Sequence, residues 1–204
     1  VTVNAFTQDN QGTLSILDGG VLSVASNVKM DGNLTGKGTL KLTGTADGTI
    51  GGLNSFGTII VGEGTLTFAR GNGTEVPALD YLVGAVGDGK VGTIRVDGQT
   101  YAGTVTLNNS VLQLTGELIT DSLDMGQGDI VFVKGADGVT NGKLTLKGET
   151  TIWNTSRIVT EATTEYADAT AGVVTAKDGT VLTFADAEGS DENTHFESNA
   201  LTVS

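Results

Sequence analysis

The chain has no cysteine, one proline, one histidine and few aromatics (six Phe, three Tyr, one Trp) among its 204 residues. The absence of cysteine excludes a disulfide framework and thiolate chemistry, and it suits export in an unfolded state through a bacterial envelope. A lone histidine leaves a Ser-His-Asp arrangement only one place to form. His195 lies in SDENTHFES, and no Gly-x-Ser-x-Gly elbow occurs, so it reads as an exposed loop residue. Paired acids exist, such as Asp121 with Asp124 or Asp186 with Glu188, but glycoside cleavage also needs an aromatic-lined groove, which these few rings supply poorly.

Basic residues are scarce as well, at 11 against 24 acidic, giving a formal net charge of -13. They stand singly along the chain, so there is no basic stripe for nucleic acid, and the acidic excess repels anionic lipid. No apolar run approaches the roughly 18 residues of a membrane helix. The reading is of a chain that is not an enzyme, binds no nucleic acid and does not insert in a membrane. It opens on Val1 rather than Met, which points to a removed leader or an excised piece.

What is abundant is glycine, 31 residues, placed at the ends of short runs of Thr and aliphatic residues. Glycine reaches positive φ without strain, and Thr, Val and Ile favour strands, so the pattern reads as many short strands joined by tight turns. The runs follow one template: GTLSI at Gly12, GVLSV at Gly20, GTLKL at Gly38, GTIIV at Gly57, GTLTF at Gly64 and GTIRV at Gly92. GTVTL at Gly103, GKLTL at Gly142 and GTVLTF at Gly179 continue it, with SVLQL at Ser110 and ALTV at Ala200 as looser copies. Period-two alternation makes each copy a half-buried strand. In GTIIVGEGTLTF, Ile59, Val61, Leu66 and Phe68 are expected to point inward, and Thr58, Ile60, Thr65 and Thr67 outward.

Gly20, Gly38 and Gly57 are spaced by about 18 to 19 residues, near one coil of a parallel β-helix. Intervals of about 7 to 8, as from Gly12 to Gly20 or Gly57 to Gly64, then mark successive faces of one coil. The fold expected is all-β, a parallel β-helix (solenoid), with a β-sandwich or jelly roll as the alternative, since short strands at 8 to 12 residue spacing also suit that architecture. The chain reads as a single elongated domain, 1–204, with regular repeats over 12–114 and irregular insertions at 69–91 and 155–198. A short helix is expected around 78–86, ALDYLVGAV, and helical or loop structure at 155–172.

The GTL-x-aliphatic strands between Gly corners resemble the passenger domains of bacterial autotransporters and filamentous-haemagglutinin-like adhesins, well over 12–114 and weakly over 142–203. The composition is also similar to that of S-layer and surface-filament subunits. The resemblance implies a right-handed β-helix at the bacterial cell surface, extracellular, acting in adhesion, aggregation or matrix formation. No C-terminal membrane barrel is present in the sequence, and no catalytic residues carry over.

Two candidate sites follow. Asp186, Glu188, Asp191 and Glu192 crowd oxygen ligands into one acidic stretch, the ligand type calcium prefers, without EF-hand or β-roll spacing; the competing reading is a solvated acidic loop. VTVNAF and ALTVS read as strands, so Val1, Val3, Leu201 and Val203 are candidate assembly residues: an uncovered terminal strand is a template for another chain. The expected partners are further copies, joined end to end into a filament, layer or matrix. The alternative is an adhesin that recognises a glycan or host surface through its insertions.

Overall fold

The computed structural model describes residues 1–43, 47–69, 78–85, 90–133, 142–153, 157–160, 173–176, 181–185, 195–196 and 200–203, with backbone alone at 53, 54, 85 and from 153 onward. Among these residues every strand pairing is parallel, and the strands stack as a β-solenoid with three walls. Parallel pairing throughout excludes a hairpin at Gly62-Glu63-Gly64 and sets aside the sandwich.

The first wall stacks Phe6–Gln8 on the start of Val28–Leu42, then Gly48, Thr65–Phe68, Gly92–Val96, Ser110–Leu114 and Asp129–Phe132. Thr13–Ser15 begins the second wall, which runs through Asn33, Ser55, Ala78, Gln99, Glu117 and Lys143. The third begins with Thr2–Val3 and Val21–Val24 and passes through Thr39, Thr58, Tyr81, Thr104 and Ser122. Val28–Leu42 and Gly48–Val61 are long because each bends around two corners and serves all three walls.

The spacing expectation holds in detail. Val21, Thr39 and Thr58, each following a template glycine, stand in register on the third wall. Gln99 and Glu117, 18 residues apart, are register partners one coil apart. The doubled GTIIVGEGTLTF lays its first half on the third wall and its second on the first wall of the next coil. Ile59, Val61, Leu66 and Phe68 are buried, while Thr58, Ile60, Thr65 and Thr67 are partly exposed on the outer faces.

The expected helix at 78–86 is instead the strand Ala78–Ala85. Leu79 and Leu82 are both buried at a three-residue interval that mimics helical spacing. The interval arises because the strand turns a corner at Asp80: Leu79 faces inward from the second wall and Leu82 from the third. A corner resets the period-two alternation, and a sequence window cannot tell that from a helix turn. Within the expected irregular stretch 155–172, Arg157–Thr160 is a strand paired with Asp129–Phe132, and 161–172 lies outside the described residues. Stacking therefore continues past residue 114, where the template fades, through Ala200–Val203.

The interior is one continuous apolar cluster, with residues such as Leu34, Leu40, Ile59, Leu82, Leu112 and Leu144 fully buried. Burying each such side chain stabilises the fold by about 1.5–3 kcal/mol. Corner glycines permit the coils to approach. A Cβ on Gly52 would lie 2.1 Å from the Gly32 carbonyl oxygen, and one on Gly32 would lie 2.3 Å from that of Gly12. The same crowding recurs at Gly116, 2.2 Å from the Gly98 oxygen, and at Gly142, 2.0 Å from the Leu114 oxygen. Only Gly19, Gly36 and Gly126 among the described glycines have positive φ, so the repeat needs glycine chiefly for close backbone approach.

Candidate functional site

Two parts of the described surface concentrate features that the interior does not need. The first is the end face formed by the opening coil. Each wall contributes one inward apolar residue there: Val3 from the third wall, Phe6 from the first and Leu14 from the second. All three are only partly buried, whereas their register partners one coil on, Val24, Val28 and Leu34, are buried. Leu17 at the corner is 74% exposed and Val1 is 87% exposed, which adds apolar area at the same end.

Among the described residues, no strand pairs with the outer side of the backbone of this face. Phe6 N–H donates to the Asn27 carbonyl at 3.0 Å, and the Val1 and Val3 carbonyls accept from Ser23 and Ala25 at 2.8 and 3.1 Å. Alternate residues of a strand turn their donors and acceptors to opposite sides, so Thr2 and Thr7 direct theirs away from the stack. At the far end, Ala200–Val203 pairs on one side with Val173–Ala176, and no described strand lies on its other side.

Of the residues expected at an assembly site, Val1 and Val3 thus lie on the opening face. Leu201 and Val203 lie on the last strand, their side chains outside the described residues. Phe6, Leu14 and Leu17 belong to the same face and were not singled out from sequence. The signal was there: Phe6 and Leu14 are the first apolar residues of their walls in the sequence, but only the register places them on one face.

The second concentration is a polar ladder on the corner between the second and third walls. Lys37 Nζ donates to both oxygens of Asp80, at 2.9 and 2.7 Å, across the intervening coil. That reach is open because the intervening corner residue is Gly57, whose Cβ position lies 2.6 Å from the Lys37 carbonyl. Further along, the Tyr101 hydroxyl donates to Asp121, and Lys147 Nζ sits 5.0 Å from the centre of the Tyr101 ring.

The hydrogen bond to Asp121 pushes the Tyr101 hydroxyl up from 10.0 to about 12, helped by burial and by the charges of Asp121 and Asp80. A phenol held neutral in this way is a donor and a brace, the opposite of an activated nucleophile. Because the folded value lies above the unfolded one, its contribution to stability is complete below about pH 10 and is lost as pH rises through about 12. Absorbance titration at 295 nm is expected to show one of the three tyrosines ionising late, and Asp121→Ala to return it toward the ordinary value. A late step that persists in Asp121→Ala would assign the shift to another cause.

The acidic residues Asp186, Glu188, Asp191 and Glu192 lie outside the described residues. His195 belongs to the two-residue strand His195–Phe196, in register with Arg157, and not to a loop. Among the described residues no three His, Asp or Glu side chains converge as a metal site requires. Asp121 and Asp124 both lie on Glu117–Asp124; Asp121 is taken up by Tyr101, and Asp124 accepts from the Gly126 N–H at 3.0 Å. Comparison of the chain with protein-family models, with curated proteins and with solved structures finds no match.

Proposed function

We propose that this chain is a structural protein of the bacterial cell surface, extracellular and without enzymatic activity, that assembles end to end by stacking coil on coil. The observation that carries the reading is the stacking itself: every described strand pairing is parallel, so the end face holding half-buried Val3, Phe6 and Leu14 offers one more coil the same register. Apolar side chains and open backbone groups both lower their free energy when another parallel coil covers them. A contact between unlike ends of identical subunits, repeated along the axis on which the coils stack, does not return to the first subunit, so it builds a filament. The resemblance to autotransporter passengers and surface-filament subunits supports the same class of function. So do the acidic surface and the missing cysteines, which fit a secreted protein kept apart from anionic partners.

Sedimentation velocity and negative-stain electron microscopy test this. The expected result is elongated particles whose length grows with protein concentration. Thr7→Pro combined with Leu17→Lys is expected to abolish growth while leaving the circular dichroism unchanged. The proline removes an N–H that faces away from the stack, and Leu17 is already exposed. Monomers at every concentration, or filaments that survive the double substitution, would overturn the reading.

A further inference from the structure

The outer face of the third wall differs in charge from its neighbours. Outward and buried positions alternate along each of its strands, and from 21–24 to 104–107 the outward ones hold Lys41 and no carboxylate. Outward positions of the first wall include Lys29, Arg95 and Asp129, and those of the second Glu117 and Lys143. In a chain of net charge -13, a face without carboxylates is one where a second copy meets little repulsion.

The centre of the face is apolar. Tyr81, 52% exposed, and Val83 lie on one coil, and Ile60 is in register with Val83 on the coil before. Thr39, Thr58 and Thr104 share a column with Tyr81 and surround the centre with hydroxyls. An apolar centre within a polar rim is the usual anatomy of an interface between proteins.

The charges toward its two ends suit a partner that runs the other way. Lys41 lies two coils before Val83 and Asp124 two coils after it, all in one column. A two-fold axis along the strand of Tyr81 and Val83 keeps each position along the strand and reverses the order of the coils. It sets Lys41 of each copy opposite Asp124 of the other, and Tyr81 and Val83 opposite themselves. The corner with the second wall repeats this order, with Lys37 on the coil of Lys41 and Asp121 on that of Asp124. Asp80 stands midway between them, its charge balanced by Lys37 Nζ at 2.9 and 2.7 Å. Asp124 also accepts from the Gly126 N–H, and a carboxylate has lone pairs for several donors.

We propose that two copies of this chain pair through their third walls, face to face and with their coils in opposite order. Six coils and four residues of strand cover roughly 24 Å by 13 Å, about 300 Å² per copy, against the roughly 800 Å² of a stable complex. One contact alone is therefore weak. Stacking subunits end to end, as proposed above, would repeat it along two filaments and strengthen it by avidity.

Sedimentation equilibrium up to millimolar protein tests the pairing in the Thr7→Pro, Leu17→Lys variant, where end-to-end growth is blocked. Dimers and nothing larger are expected, because a two-fold contact closes on itself. Adding Tyr81→Lys, at an exposed position on the axis, brings two like charges together and is expected to weaken pairing about tenfold or more, with the circular dichroism unchanged. Lys41→Glu is expected to weaken it several-fold, and Asp124→Asn, which keeps an oxygen for the Gly126 N–H, to restore part of the loss. Monomers throughout, species larger than dimers, or dimers indifferent to Tyr81→Lys and Lys41→Glu would overturn the pairing. Growth of the unsubstituted chain without dimers in the blocked variant overturns the lateral pair alone. Dimers in the blocked variant without growth of the unsubstituted chain overturn end-to-end stacking alone.

Discussion

Gly36→Ala is expected to destabilise the opening coils by about 4 kcal/mol, combining a strained backbone with overpacking. Gly36 has a φ of +105°, and a Cβ there would lie 2.2 Å from the Ile16 carbonyl oxygen, 2.9 Å from its carbon and 3.2 Å from its nitrogen. That peptide cannot swing aside, because Ile16 accepts from the Gly38 N–H at 2.8 Å and donates to the Thr35 carbonyl at 3.0 Å. Gly19→Ala is the matched control. Its φ of +72° is also left-handed, but a Cβ there meets nothing within 4 Å. Backbone strain alone then applies, about 1–2 kcal/mol. Urea unfolding followed by circular dichroism should rank the two variants in that order. Equal losses would show that the contact with Ile16 relaxes at little cost.

Phe56→Ala is expected to cost about 3–5 kcal/mol, the usual loss for truncating a buried phenylalanine. Phe56 is fully buried and stands in register between Gly36 and Leu79. Gly36 brings no side chain to refill the space the ring would vacate, and the cavity would remain. Each coil of a solenoid contacts only its neighbours, so the damage should be local. Native-state hydrogen exchange is expected to show lost protection over Thr39–Leu42 and Tyr81–Gly84, with Ser110–Leu114 still protected. Uniform loss along the chain would instead describe a fold that unfolds as one unit. Tyr81→Ala, on the outer face and 52% exposed, is expected to change stability by no more than about 0.5 kcal/mol.

The glycines mark the limit of what the sequence discloses. Read in sequence, they sit at run ends and announce corners, and at Gly20, Gly38 and Gly57 the corners are where the spacing puts them. Gly48 and Gly84 differ, since they stand within strands at inward positions. A Cβ on Gly48 would meet Leu66, Val28 and Leu42 side chains at 3.0 to 3.3 Å, and one on Gly84 would lie 2.4 Å from Ser110 Oγ. Such glycines offset larger residues stacked above and below them, a relation between residues a full coil or more apart.

The polar ladder has the same origin. Lys37 and Asp80 are separated by 43 residues and meet only because Gly57 leaves the corner between them bare.

The sequence by itself determined the strand class, the alternation of inward and outward residues, the coil spacing and the exclusion of thiol chemistry. Each follows from local sterics, from period-two burial or from composition, which neighbouring residues carry together. Only the tertiary structure decided that Ala78–Ala85 is a strand bent at Asp80, that Val3, Phe6 and Leu14 share one end face, and which side chains share a corner. Those depend on register between coils, and register is set by the packing of residues distant in sequence rather than by any one stretch of the chain.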